Sequence, residues 1–280
     1  MPDVRRAATI SLACALAGAA TVCGPSRPGR LAPGDFAPPG PGYRLAWHDE
    51  FDGTALDTAE WTVYAGPRRD AQNSSDAVAV VDGVLTITTS TEDGVHRTGF
   101  VDTARRRLFT YGWFEARIRF ASAPGEWGAF WMSSPTIGHP VGDPGTAGTE
   151  IDIVEHRAAD AAGADISNRY VMNLHWDGYG PDHKTAGGHG APPPGAAPLQ
   201  GNWHVYALEW TPRGYRFLLD GVEQWATTAG LSHRPEFVKL SCEVQDASWA
   251  GHVPAGGYGP RESSATGMLV DWVRIWQRGR

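Results

Sequence analysis

The sequence predicts an all-β protein, a sandwich or jelly roll of two antiparallel sheets. Short apolar or alternating runs recur along the chain between Gly, Pro, Asn and Asp residues, which is the pattern of such folds. No stretch of ten or more residues has the spacing of an amphipathic helix. The chain therefore has many candidate strands and no candidate for a long helix.

Two Asp-Gly pairs mark hairpins, because this dipeptide readily adopts the positive φ angles of a tight turn. Asp82-Gly83 joins residues 78–81 to 84–89, and Asp220-Gly221 joins residues 215–219 to 222–226. Two Gly/Pro-rich stretches, 135–147 and 178–201, are expected to be long loops, which are often functional. The remaining strands are expected at 111–120, 127–133, 150–155, 170–176, 203–211, 237–244 and 268–276.

The first residues have the composition of an export signal. Within residues 1–23, Arg5 and Arg6 precede a short apolar stretch of small residues, so we expect a secreted protein. Cys23 beside this signal leaves lipid anchoring at the cell surface as a minor alternative. Residues 24–42 are rich in Pro and Gly and are expected to form a linker without packed structure. Residues 43–280 then suit one domain.

Charge and cysteine usage exclude several classes of partner. A net charge of −7 argues against nucleic acid and against an anionic membrane surface. Two of the three cysteines lie in or beside the signal, so no structural disulfide is expected. Cys242 lies among apolar residues and is expected to be a small buried residue rather than a nucleophile. A monomer is the default expectation.

Residues 150–155 (EIDIVE) place three carboxylates on one predicted strand. Successive side chains of a strand point to opposite faces, so Glu150 and Asp152 share a face and Glu155 has the wrong parity. A β-bulge between Asp152 and Glu155 inserts one extra residue, and such bulges re-aim side chains next to active sites. We therefore predict a bulge that brings the three acids to one face.

Like charges on one strand face repel each other and raise at least one pKa, so such a cluster indicates a function. Two carboxyl groups about 5 Å apart are the apparatus of a retaining glycosidase, one as nucleophile and one as acid/base. Two other interpretations stay open. One is an acidic solvent face, and the other is a metal site that adds His156, although the bulge turns His156 to the opposite side.

Twelve tryptophans make a heavy aromatic load, and the flat faces of sugars stack on such rings. Trp127 and Trp131 share strand parity and are candidates for sugar contacts, together with His175, Trp176 and Trp249. The competing interpretation is packing in the core for each ring, and for His175 an ordinary satisfied polar group.

The acidic strand resembles the active-site strand of glycoside hydrolase family 16, in the form with one extra residue before the last glutamate. Other stretches resemble that family in order, from about residue 45 to residue 277: 51–61 (its opening strand), 111–119, 127–132, 203–212, 219–221 and 270–275. The resemblance implies a concanavalin A-like jelly roll whose concave sheet forms a polysaccharide cleft. It also implies that Glu150 is the nucleophile, Glu155 the acid/base and Asp152 the assisting carboxylate.

The implied activity is that of a secreted retaining endo-glycosidase, with a β-1,3- or mixed β-1,3/1,4-glucan as the first expectation. A galactan of the agarose or carrageenan type is the alternative, and so is a transglycosylase with the same acids. A non-catalytic sugar-binding sandwich is the least favoured hypothesis, because all three acids are kept.

Two features of the sequence bear on the substrate. Laminarinase-like members carry a Trp-Pro pair shortly before the first catalytic glutamate, whereas residues 142–148 contain no tryptophan. Few Lys and Arg residues are expected near the cleft apart from Arg157, Arg169 and Lys184, which argues against sulfated chains.

No cofactor and no catalytic metal are expected. A structural calcium ion, which family members often bind on the convex side, is compatible with the sequence although no EF-type loop is present.

Overall fold

A computed structural model describes residues 36–279. The predicted signal, Cys23 with its lipid-anchor alternative, and residues 24–35 of the predicted linker lie outside the described residues. Within that part of the chain, no helix is long and apolar enough to cross a bilayer. The single α-helix of the described part is α1 (Pro144–Ala147), and a 3-10 turn covers Ser75–Ala77.

Strands dominate the described residues. In chain order they are β1 (Tyr43–Asp49), β2 (Thr62–Val63), β3 (Gly66–Arg68), β4 (Ala71–Asn73), β5 (Val78–Val81), β6 (Val84–Thr88), β7 (Ser90–Glu92), β8 (Val95–Thr98), β9 (Phe100–Asp102), β10 (Gly112–Ala121), β11 (Glu126–Ser133), β12 (Glu150–Arg157), β13 (Tyr170–Trp176), β14 (Lys184–Gly190), β15 (Trp203–Thr211), β16 (Gly214–Leu219), β17 (Val222–Thr227), β18 (Phe237–Val244) and β19 (Gly267–Arg278).

Two large antiparallel sheets pack on each other. The front sheet contains the acid-bearing strand and has the order β14-β13-β12-β11-β18-β9-β2. The back sheet has the order β17-β16-β15-β10-β19-β6-β5, and β1 also pairs with β19. A small third sheet, β3-β4-β8-β7, contacts the end of β18, where Asp70 N donates to Val244 O at 3.0 Å. The predicted sandwich of antiparallel sheets is confirmed.

The core lies between the two large sheets. On β10 buried and half-buried residues alternate without exception, and Phe114, Ile118 and Phe120 have no exposed surface. On β12 the aliphatic residues Ile151 and Val154 face this core from the front sheet. The alternation predicted for β10 is therefore confirmed, and it fixes which face of each sheet is buried.

Both predicted hairpins are present. Asp82 and Gly83 have φ values of 50° and 73°, and Asp220 and Gly221 have φ values of 49° and 78°. These angles belong to the primed turns whose twist matches that of the flanking strands. The pairs β5–β6 and β16–β17 are antiparallel neighbours as expected. The predicted burial of Cys242, which is a free cysteine, is confirmed as well.

Three expectations about the chain are wrong. Residues 51–61 do not form the opening strand; β1 precedes them, and they form turns that bury Trp61 against Trp47 with ring centroids 5.6 Å apart. Residues 184–190, expected to be loop, form the edge strand β14. The linker prediction fails at Phe36, whose ring is buried. The guanidinium carbon of Arg274 lies 3.6 Å from the centroid of this ring, and this cation–π contact packs Phe36 against β19.

Candidate active site

The predicted bulge lies on β12. Asp152 pairs with Trp131 on one neighbouring strand, and the next pair is Val154 with Phe130, so Ile153 is the extra residue. On the other side the register also shifts between Asp152 and Glu155. The sequence forces this irregularity, because two successive aliphatic residues are both buried in the core. The bulge prediction is confirmed.

The bulge brings the three acids to one face. On β13 the partners of Glu150, Asp152 and Glu155 are residues 175, 173 and 171, which alternate regularly and therefore share a face. The residues that alternate with these partners on β13, Tyr170, Met172 and Leu174, belong to the core between the sheets. The acids therefore lie on the outer face of the front sheet, over an aliphatic support.

Burial and mutual repulsion perturb two of these acids. The pKa of Glu155 is raised well above its usual value, first by desolvation and then by the charge of Asp152. Asn173 Nδ2 donates to Glu155 Oε2 at 3.0 Å, which offsets part of that rise in pKa. Desolvation and the charge of Glu150 likewise raise the pKa of Asp152. The raised pKa favours the protonated form of Glu155, which is the form that can donate a proton.

Glu150 begins the strand directly after a tight connection. The backbone N of Thr149 donates to Glu236 Oε1 at 3.1 Å. Gly148 has a φ of 86°, and a Cβ there would lie 2.1 Å from Ser134 Cβ, so only glycine fits. Desolvation raises the pKa of the buried Glu236 to about 8, so this acid is neutral where it supports Thr149. This frame fixes the point at which Glu150 enters the sheet.

His175 lies beside the acids, as predicted for a site residue. Its Nε2 is 3.3 Å from Asp152 Oδ2, and its Nδ1 is 3.0 Å from His183 Nε2. Ligand atoms of Glu150, Asp152 and His175 all lie within 4.8 Å of one another, so these are the residues of the described chain that could hold a cation. The same closeness places the imidazole of His175 within reach of the Asp152 carboxyl group.

The metal site that would include His156 is wrong. His156 lies on the inner face, stacked on Phe120 with ring centroids 4.8 Å apart. Its Nε2 is 2.8 Å from Ser167 O, and desolvation lowers its pKa to about 4. His156 is therefore a neutral core residue on the side of the sheet away from the acids.

The aromatic residues predicted to contact sugar lie in different environments. Trp131 and Trp127 lie on the outer face but are covered, with 6% and 2% of their surface exposed. The Lys239 ammonium lies 3.6 Å above the Trp131 ring, and the half-buried Trp249 packs edge-on against Trp127 at 5.3 Å. Trp176 packs on the core, because it follows His175 on β13 and has the opposite parity. The placement of Trp176 among the substrate contacts is therefore wrong.

Cations line the outer face beyond the acids. Arg68 and Arg69 both bind Glu243, and their guanidinium groups lie over the rings of Phe100 and Trp127 at 5.4 and 5.0 Å. Lys239 lies next to Trp131, and desolvation lowers its pKa to about 8. Arg157 stacks on Trp249 at 4.0 Å. The expectation of few cations near the cleft is therefore wrong. Arg157 does lie on this face, as expected.

Sequence reasoning missed an aromatic ladder and a loop tyrosine. Tyr64 is 40% exposed and stacks on Phe100 at 4.5 Å, and Phe100 stacks on Trp131 at 5.7 Å. Tyr179, in the loop after β13, donates from its hydroxyl to Glu150 Oε2. The sequence does contain a signal for Tyr179, because this tyrosine stands between two glycines directly after a strand that borders the acids.

Comparisons with known proteins agree with this geometry. The family model of the GH16 domain of β-porphyranases A–D matches residues 46–278. The β-porphyranase E of Zobellia galactanivorans is 30% identical over 258 residues, covering 82% of this chain and 86% of that protein. The glucan endo-1,3-β-glucosidase A1 of Niallia circulans is 24% identical over 270 residues, 84% of this chain and 38% of that protein.

Solved structures show the same fold. Porphyranase B from Zobellia galactanivorans superposes with a TM-score of 0.66 at 22% identity, covering 84% of this chain and 92% of that one. The endo-β-1,3-glucanase from Pyrococcus furiosus also superposes with a TM-score of 0.66, at 24% identity, covering 84% of this chain and 94% of that one. The chain spans only about a third to a half of the length of several curated relatives, such as 38% of the Niallia circulans enzyme and 55% of a keratan-sulfate endo-1,4-β-galactosidase from Sphingobacterium multivorum.

Proposed function

This chain belongs to glycoside hydrolase family 16, and on that premise we propose that it is an endo-glycosidase that cleaves a β-linked polysaccharide with retention of configuration. The observation that carries the proposal is the bulge on β12. It sets Glu150, Asp152 and Glu155 on one face, where desolvation and the charge of Asp152 raise the pKa of Glu155. A nucleophile and an acid in this arrangement are what double displacement requires.

The reaction proceeds in two steps. Glu150 attacks the anomeric carbon while Glu155 gives its proton to the departing glycosidic oxygen, and a glycosyl ester forms on Glu150. Glu155 then removes a proton from water, the water oxygen attacks the anomeric carbon, and the bond to Glu150 breaks. Asp152 lies next to both acids, and His175 contacts Asp152 at 3.3 Å, so proton movement within this group is short-range.

Two substitutions test the assignment. Glu150→Gln should abolish hydrolysis without loss of fold, while Glu223→Gln, an exposed change on the back sheet, should leave activity intact. Glu155→Ala should be rescued by azide on an activated aryl glycoside, with a retained configuration of the glycosyl azide by proton NMR. Normal turnover by Glu150→Gln, or an inverted azide product, would refute the proposal.

Two substrate classes compete, a neutral β-glucan and a galactan, and the relatives include enzymes named for both. The cations on the outer face favour a galactan that carries anionic groups such as sulfate. Arg68 and Arg69 share the single carboxylate of Glu243, so two positive charges meet one negative charge there. Planar guanidinium groups pair well with sulfate and similar oxyanions. The sequence-based preference for a neutral glucan is therefore not the one that the site favours.

Product sizing on laminarin, lichenan, agarose, porphyran and carrageenan distinguishes the classes. Lys239→Met should reduce kcat/KM on a sulfated galactan roughly 10-fold or more, as expected for loss of one charge-assisted contact, and change it much less on a neutral chain. Arg213→Gln, an exposed cation at the β15–β16 turn, is the matched control. Equal effects of Lys239→Met on both polymers would remove the argument for an anionic substrate.

A further inference from the structure

The loop after β13 is docked firmly beside the acids. Asp177, the first residue after the strand, is buried, with the backbone N of Gly142 donating to its Oδ1 and Lys184 Nζ to its Oδ2, both at 2.8 Å. It has a φ of 63°, which turns the chain back over the sheet. Gly138 and Gly178 touch so closely that a Cβ on Gly138 would lie 2.7 Å from Gly178 Cα. The loop is therefore held against the segment that leads into Glu150.

This loop carries Tyr179 to the nucleophile. Its hydroxyl donates to Glu150 Oε2, and its ring lies 6.4 Å from the ring of His175 and 5.6 Å from that of His183. Tyr179 keeps 61% of its surface exposed, so the ring remains accessible to a sugar. The pKa of its phenol is raised, first by desolvation and then by the charge of Glu150, so the hydroxyl stays protonated and remains a donor.

We propose that Tyr179 is a positioning residue for the nucleophile, an inference that rests on the proposed function. By binding Oε2 of Glu150 it leaves Oε1 free to attack the anomeric carbon. In the second step the bond between the anomeric carbon and Glu150 breaks, and its electron pair returns to the carboxylate. The phenol stabilises that returning charge, while the proton of the attacking water goes to Glu155.

Tyr43→Phe provides a matched control for Tyr179→Phe. Tyr43 also donates its hydroxyl to a carboxylate, Glu209 Oε1 at 2.9 Å, but on the back sheet. Both substitutions remove one phenol–carboxylate hydrogen bond and leave the ring. With an aryl glycoside whose good leaving group makes the first step fast, Tyr179→Phe should lower kcat about 10- to 100-fold. Tyr43→Phe should lower it less than about 2-fold.

The split between kcat and KM separates positioning from a structural effect. Slow hydrolysis of the glycosyl ester makes the ester accumulate, so Tyr179→Phe should lower KM together with kcat and show a burst of aryl alcohol. Mass spectrometry should then detect the glycosyl adduct on Glu150. An unchanged kcat, or a raised KM without a burst or adduct, would overturn the inference while leaving the proposed function intact.

Amide hydrogen exchange provides a readout without turnover. If Tyr179 is tied to Glu150, amide exchange over residues 177–183 should quicken in both Tyr179→Phe and Glu150→Ala, each of which removes one partner of the hydrogen bond, and stay unchanged in Tyr43→Phe. If the wild type cleaves no polysaccharide or aryl glycoside, the proposed function fails. Exchange that is the same in all four proteins overturns the tie between Tyr179 and Glu150.

Discussion

Glu126, the first residue of β11, has no exposed surface. Neither of its carboxyl oxygens meets a hydrogen-bond donor in proper geometry among residues 36–279, although Cys242, Ser122 and Thr89 stand nearby. Desolvation raises the pKa of Glu126 from 4.5 to about 8, and those neighbours offset only part of the effect. The side chain is therefore neutral in the folded protein at neutral pH and charged in the unfolded chain.

This difference makes stability depend on pH. Between about pH 4.5 and pH 8 the unfolded chain has lost a proton that the folded protein still holds, so the free energy of unfolding falls as pH rises. The interval between the two pKa values, 8 − 4.5 = 3.5, corresponds to about 5 kcal/mol once the pH exceeds 8. Glu126→Gln keeps the shape and removes the ionisation, so the variant should gain on the wild type by up to that amount.

Urea unfolding at a series of pH values from 4 to 9 measures this gain. The amide of the new glutamine adds an offset that does not vary with pH, so the diagnostic is the widening difference between the two stability curves. Glu262→Gln is the control, because Glu262 is exposed and its pKa is lowered by backbone and Arg261 hydrogen bonds. Its curve should show only a small loss above pH 4. Parallel curves for Glu126→Gln and wild type would refute the reasoning.

Two further substitutions test the site and its edge strand. Asn173→Ala removes the donor to Glu155 Oε2, so the pKa of Glu155 should rise further and the basic limb of kcat/KM should move to higher pH; an unmoved limb on an aryl glycoside contradicts this. Gly188→Ala places a Cβ 2.7 Å from Trp225 Cγ and should lower the free energy of unfolding by about 1–3 kcal/mol in urea. Gly180→Ala, whose Cβ meets no atom of residues 36–279 within 4 Å, should be neutral.

The bulge was predictable because parity alone demands it. Residues 151, 153 and 154 are aliphatic, and burying all of them leaves Glu155 on the same face as Glu150 only if one residue is extra. The hydrogen bond from Asn173 to Glu155 was not predictable in the same way. It depends on how β13 pairs across that bulge, and a single strand pattern contains no information on cross-strand register.

The edge strand and the cations could not be predicted for a related reason. The glycines at 187 and 188 suggest a loop when the sequence is considered alone. In the structure they belong to β14, and both must be glycine because Asn173 and Trp225 occupy the space that a Cβ would need. Arg68 lies far from Glu243 in sequence, and the small third sheet brings them to 2.7 Å. Both features arise from close approaches between distant segments, which leave no local periodicity.

The strand order also relates the acids to the cations. Trp131 on β11 pairs with Asp152 on one side and with Lys239 on the other, so Lys239 lies two strand spacings, about 10 Å, from the acid strand in direct register. If the substrate is anionic as proposed, a substituent held at Lys239 would fix the chain relative to the acids. Shifting the chain by one sugar would bring that charge toward the charge of Glu150, which repels it. On a regularly sulfated galactan, each cut would then leave the anionic sugar at one fixed distance from the new chain end.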